Sequence, residues 1–79
     1  MNIKLLSDEL LKEEIPKNWY MLTDKGISDM RTCIRLIDGK WSVYFSERGG
    51  KFMIKTFDTE SEACFELLSR MLQLKNRRR

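Results

Sequence analysis

Residues 40–59, KWSVYFSERGGKFMIKTFDT, decide the fold of this chain. Trp41, Val43 and Phe45 alternate with Ser42, Tyr44 and Ser46, a period of two that gives a strand one apolar and one mixed face. Phe52, Ile54 and Thr56 alternate with Met53, Lys55 and Phe57 in a second strand. Between them lies Glu47-Arg48-Gly49-Gly50, whose glycines can take the positive φ of a tight hairpin. Pairing Phe45 with Phe52 sets Val43 opposite Ile54 and Trp41 opposite Thr56. A slip of one residue would turn Lys55 and Tyr44 toward the core, so the pattern specifies this register.

Upstream, residues 31–37 form an earlier strand in which Ile34 and Leu36 alternate with Cys33, Arg35 and Ile37. Asp38-Gly39 is a strong signal for a two-residue type I′ turn. Pairing across it sets Leu36 opposite Trp41 and Ile34 opposite Val43, the same apolar face. Two turns thus predict one three-stranded antiparallel meander.

Helices flank it. Ile3, Leu6, Leu10 and Leu11 recur at helical spacing over residues 2–14, and Pro16 stops the helix. Downstream, Thr59-Glu60-Ser61-Glu62 is a capping box. It opens a helix over residues 60–75, whose stripe of Ala63, Leu67, Met71, Leu74, Cys64, Leu68, Leu72 and Phe65 is wider than the ~100° that covers one sheet face. The rest of that stripe must meet the first helix or another subunit, so a homodimer through the last helix is an expectation. Residues 16–29 are irregular. Trp19, Tyr20, Met21 and Leu22 there either pack over the core edge or form an aromatic contact patch, and Asp24-Lys25-Gly26 is a turn signal. The predicted fold is α+β: helix, three-stranded antiparallel meander, helix, in a two-layer sandwich.

The chain has 79 residues and a net charge of +3. One domain over residues 1–74 is expected, followed by a basic tail over residues 75–79. A chain this short buries only roughly 60% of its unfolded surface. Lys75, Arg77, Arg78 and Arg79 carry the excess charge: 15 basic residues less these four leave 11 against 12 acidic ones. The tail is either a solvated end or an attraction for nucleic acid. No signal-peptide pattern and no run of about 18 apolar residues is present, so a soluble, cytoplasmic protein without a membrane partner is expected. Cys33 and Cys64 are read as two buried free thiols or a buried disulfide; neither spacing nor a secretory context argues for the bridge.

Catalytic signatures are missing. The chain has no histidine, and two isolated cysteines make no zinc site. Gly49-Gly50 sits in a hairpin rather than at a strand-to-helix junction, so it is no phosphate loop. A non-enzymatic binding protein with no cofactor is expected. The face of the meander opposite the helices would show Arg35, Ser42, Tyr44, Ser46, Lys51, Met53 and Lys55, with Arg48 at its rim. This is either an ordinary solvated face with edge-protecting lysines or a contact surface for an anionic partner. Arginine and tyrosine are common interface anchors.

Two resemblances bear on function. Ile15-Pro16-Lys17-Asn18-Trp19-Tyr20, the run from Lys40 through Gly49, and Phe57-Asp58-Thr59-Glu60-Ser61-Glu62-Ala63-Cys64 resemble segments of small immunity proteins of bacterial polymorphic-toxin and contact-inhibition systems. The likeness spans residues 15–72 and implies a protein that binds and neutralises a cognate protein toxin. Inhibitors of nucleases in such systems are often acidic, and the basic tail departs from that pattern. For such a role the open sheet face and the hairpin tip would supply the contacts, Arg35, Tyr44, Glu47, Arg48 and Lys55, with Trp19 and Tyr20 as rim aromatics. Separately, Lys40-Trp41-Ser42-Val43 followed by Lys55-Thr56-Phe57-Asp58-Thr59-Glu60-Ser61-Glu62-Ala63 is similar to the three-stranded-sheet DNA-binding domains of ethylene-response factors and tyrosine integrases. That likeness covers residues 31–72 and implies a sheet face in the major groove, with Arg35, Arg48, Lys51 and Lys55 as contacts. The charge on these strands is sparser than in that family. The element order also resembles double-stranded RNA-binding domains, but Glu60 and Glu62 stand where those need lysines for phosphate.

Overall fold

A computed structural model describes residues 1–23, 26 and 29–77. Helix α1 spans Ile3–Lys12, and a 3-10 turn at Lys17–Trp19 leads into a two-residue strand, β1, Tyr20–Met21. Strands β2 (Arg31–Ile37), β3 (Lys40–Glu47) and β4 (Gly50–Phe57) follow, then helix α2 (Glu60–Arg77). The sheet order is β1-β2-β3-β4, with β1 parallel to β2 and the other pairs antiparallel.

The expected meander is present, and the sheet has one strand more than expected. Tyr20 pairs with Thr32 and Met21 with Cys33, which makes a four-stranded mixed sheet rather than three antiparallel strands. Two residues are too short to show a period of two, so the sequence pattern left them in the irregular segment. Of the turn expected at Asp24-Lys25-Gly26, the first two residues lie outside the described ones.

Both hairpins turn through two residues with positive φ: Asp38 and Gly39 at 50° and 80°, Arg48 and Gly49 at 51° and 79°. This is the mirror-image turn whose twist matches the flanking strands. The first hairpin has the expected register, with Leu36 opposite Trp41 and Ile34 opposite Val43. In the second, Phe45 faces Phe52 as expected, but Val43 faces Lys55 and Trp41 faces Phe57. The register shifts between Val43 and Phe45, where Met53 adopts φ 55°. A bulge there adds one residue to β4 and reverses the faces beyond it. Lys55 therefore lies on the same face as Val43, and Phe57 joins Trp41 against the core.

The helices cover that face. Leu6 and Leu10 of α1, Ile34 and Val43 of the sheet, and Ala63, Cys64, Leu67 and Met71 of α2 form the main core. The two helices run parallel. At one end Glu60 Oε2 accepts from Ile3 N at 2.8 Å, and Ser61 Oγ accepts from the Met1 amine at 3.1 Å. At the other, Lys75 Nζ donates to the Glu13 carbonyl at 2.6 Å. Helix α2 includes Lys75 as expected and runs two residues further, to Arg77. The capping box forms, with Thr59 Oγ1 accepting from Glu62 N at 3.2 Å and donating to Glu62 Oε1 at 2.9 Å. Leu68 and Leu74 of the wide stripe pack on the core, whereas Phe65 stays 54% exposed.

Two predictions follow from the bulge and the clamp. Met53 holds a left-handed conformation that costs a non-glycine residue about 1 kcal/mol. Met53→Gly should leave thermal stability unchanged or raised, whereas the β-branched Met53→Val should lower it by about 1–2 kcal/mol in urea unfolding. Glu60→Ala removes the carboxylate on the first turn of α1 and should cost about 1 kcal/mol, with amide exchange quickened at Ile3 and Leu5 first.

Candidate functional site

Beyond Cys33 no strand among the described residues lies beside the outer edge of β2, because β1 pairs only with Thr32 and Cys33. A cleft of about 820 Å3 wraps this edge. Its lining comes from Ile3, Leu22 and Thr23, from residues 34–38 and Trp41, and from Tyr44 and Lys51 on the face away from the helices.

On that far face, Met21, Cys33 and Tyr44 form a second buried cluster, with Ile37 packed against it. Tyr44 is only 3% exposed, and Ser42 and Ser46 are buried too. The face expected to be open is therefore closed over its centre. Arg35, half-buried at its margin, reaches Met21 Sδ with Nη2 at 3.9 Å. Its Nε is buried with no hydrogen-bond partner among the described residues. Lys51 Nζ lies 5.4 Å from the centre of the Tyr44 ring, a cation over an aromatic face. No carboxylate among the described residues pairs with either cation, although Asp38 also lines the cleft.

Burial raises the Tyr44 hydroxyl pKa above its ordinary value, with the nearby Cys33 adding to the rise and Arg35 opposing it. Burial likewise pushes the Cys33 thiol up, against the lowering pull of Arg35 and a hydrogen bond with Tyr44. Burial thus favours the neutral form of both groups, which lie beside Arg35 and Lys51. The arrangement suits attraction and hydrogen bonding of an anion.

The expected contact residues do not assemble into one patch. Arg35 and Tyr44 share the cleft, and Lys51, placed on this face but not among the expected contacts, joins them. Glu47 and Arg48 sit at the β3–β4 turn, five residues along β3 from the Ser42 that pairs with Arg35, or about 17 Å away. There Arg48 N donates to the Asp29 carboxylate at 2.7 Å. The bulge moves Lys55 to the helix side, away from Arg35. Tyr20 is buried in the main core and Trp19 packs on it, so of the two expectations for this segment the packing one describes both. The cleft itself had no signal in sequence, because it depends on β1, a strand partner too short both to cover β2 and to show a period.

Cys33 and Cys64 are free, buried and on opposite faces of the sheet. Among the described residues no group of three histidine, cysteine, aspartate or glutamate side chains could hold a metal ion. No described helix is long and apolar enough to cross a membrane. Comparison with protein-family models, curated proteins and solved structures finds no match.

The raised thiol pKa values set a pH dependence. A thiol whose folded pKa lies above its unfolded value of roughly 8.5 contributes stability that is intact below that pH. This contribution is lost as pH rises from there through the folded pKa. Burial raises both Cys33 and Cys64. Unfolding midpoints should fall above about pH 8.5, and the fall should be shallower in the Cys33→Ala/Cys64→Ala double variant.

Proposed function

We propose that this chain is a small non-catalytic binding module of the immunity type, which neutralises a protein toxin by occluding it in the cytoplasm of the producing cell. The observation that carries a binding role is the pair of cations at the sheet-edge cleft. Arg35 and Lys51 flank Tyr44 with no paired carboxylate among the described residues. A half-buried guanidinium without a counter-charge is costly alone and favourable once an acidic side chain meets it. The immunity assignment itself rests on the residue pattern of residues 15–72.

The DNA-binding alternative is less well supported by the geometry. A duplex is held by cations spread along one surface. Here Arg35 and Lys51 lie on one face of the sheet, Lys55 on the other and Arg48 at a distant turn.

The test begins with capture of partners from the native cells, with and without nuclease. The reading expects one stoichiometric protein that survives nuclease, is toxic when expressed alone and is harmless with this chain. Arg35→Glu and Lys51→Glu should each weaken that complex by about tenfold or more, and Lys55→Glu by less than about threefold, at unchanged melting temperature. Recovery of nucleic acid, or equal loss from Lys55→Glu, would overturn it.

A further inference from the structure

A second groove lies on the opposite side of the sheet, between the outer edge of β4 and the C-terminal half of α2. It has two parts that share Met53, Arg70 and Gln73. One part, about 300 Å3, has an apolar floor of Phe45, Met53 and Leu74 and ends at Arg77. The other, about 400 Å3, is polar and holds Lys55 and Glu66. Met53 is 75% exposed at its centre, and its neighbours Phe52 and Ile54 are half exposed.

Arg70 is fixed in the groove wall. Its Nε donates to Glu66 Oε2 at 2.8 Å and its Nη2 to the Met53 carbonyl at 2.7 Å. Its Nη1 is buried with no partner among the described residues. Glu66 is the one acidic lining residue and is already paired with Arg70. Lys55 and Arg77, at the two ends, have no ion-pair partner among the described residues. An apolar seat between two cations is complementary to an apolar side chain between two carboxylates.

A second copy of the chain fits this edge poorly. Strand β4 carries Lys51 and Lys55 and no carboxylate, so two copies paired edge to edge would set four ammonium groups along one ribbon. The bulge at Met53 and the capture of its carbonyl by Arg70 also interrupt the row of backbone groups that an added strand would use. The occupant must therefore enter by its side chains. From Glu66 to Arg77 the groove runs 11 helical steps, about 16 Å, which an extended segment of about five residues spans.

We propose that this groove is a docking site for an extended acidic peptide segment with one large apolar residue at its centre. The apolar side chain sits on Phe45, Met53 and Leu74, and carboxylates on either side meet Lys55 and Arg77. The site is independent of the Arg35 cleft and does not rest on the immunity reading.

The test titrates the 15N-labelled chain with a capped pentapeptide of central leucine flanked by two acidic residues on each side. Saturable shifts are expected at the amides of Phe45, Met53, Arg70 and Leu74. Met53→Ser and Arg77→Glu should each weaken binding by about tenfold, and Arg35→Glu by less than about twofold. Arg77→Glu lies at an exposed helix end, so it tests the site even if Met53→Ser perturbs the bulge. The proposal is overturned by equal affinity for the same peptide with central serine, by shifts confined to the Arg35 cleft, by equally strong binding of a single-stranded oligonucleotide in the groove, or by no shifts up to about 5 mM peptide.

Discussion

The left-handed residue at Met53 is the constraint on which the rest of the sheet depends. Phe52 and Phe57 are five positions apart, an odd number, so in an unbroken strand they would point to opposite faces. Yet Phe45 needs a partner at one end of β3 and Trp41 at the other, both on the helix side. One extra residue in β4 satisfies both. The bulge therefore exchanges Thr56 for Phe57 opposite Trp41, extending the apolar layer by an aromatic ring. It also turns Lys55 to the helix side, where an edge position keeps its ammonium group in water. The local cost of positive φ at one methionine is offset by burial of a second aromatic residue along the strand.

The helical layer solves a different problem. Helix α1 is 10 residues long, too short to be stable by itself, and lies far in sequence from the helix it packs on. Leu6 and Leu10 supply the apolar contact, but two leucines alone set no helix direction or register. Direction comes from polar contacts at both ends. The Glu60 carboxylate takes an otherwise orphaned N–H of the first turn of α1, and Lys75 takes a carbonyl just past its last. Each lies where the helix dipole favours its charge. The same two residues make α2 hold α1 parallel to itself.

How far the sequence could be read follows from the range of each signal. Both two-residue turns, the capping box, the strands β2 and β3 and the apolar faces of the helices are local patterns, and each was legible. The bulge was legible in principle from the odd spacing of Phe52 and Phe57, but only once both were required on one face. The state of the second sheet face was not. Tyr44 among serines reads as an exposed aromatic, and its burial comes from Met21, carried there by a strand of two residues with no period to detect. The placement of the expected contact residues has the same origin. Arg35 and Tyr44 share a strand-pair neighbourhood and came together, while Lys55 depended on the bulge and Tyr20 on the path of the irregular segment.

At the sheet-edge cleft two cations stand beside a buried hydroxyl and a buried thiol. Arg35 offers a planar fork of donors and no acceptor. The Tyr44 hydroxyl and the Cys33 thiol are both pushed upward by burial, away from the range where either could act as a base or nucleophile. Lys51 is placed over the ring of Tyr44, a cation against an aromatic face. The opposite groove also gathers cations, with Arg70 anchored by Glu66 and the Met53 carbonyl and with Lys55 and Arg77 at its ends. The sheet thus presents two preformed cationic surfaces on opposite sides, separated by a core that keeps them from merging into one.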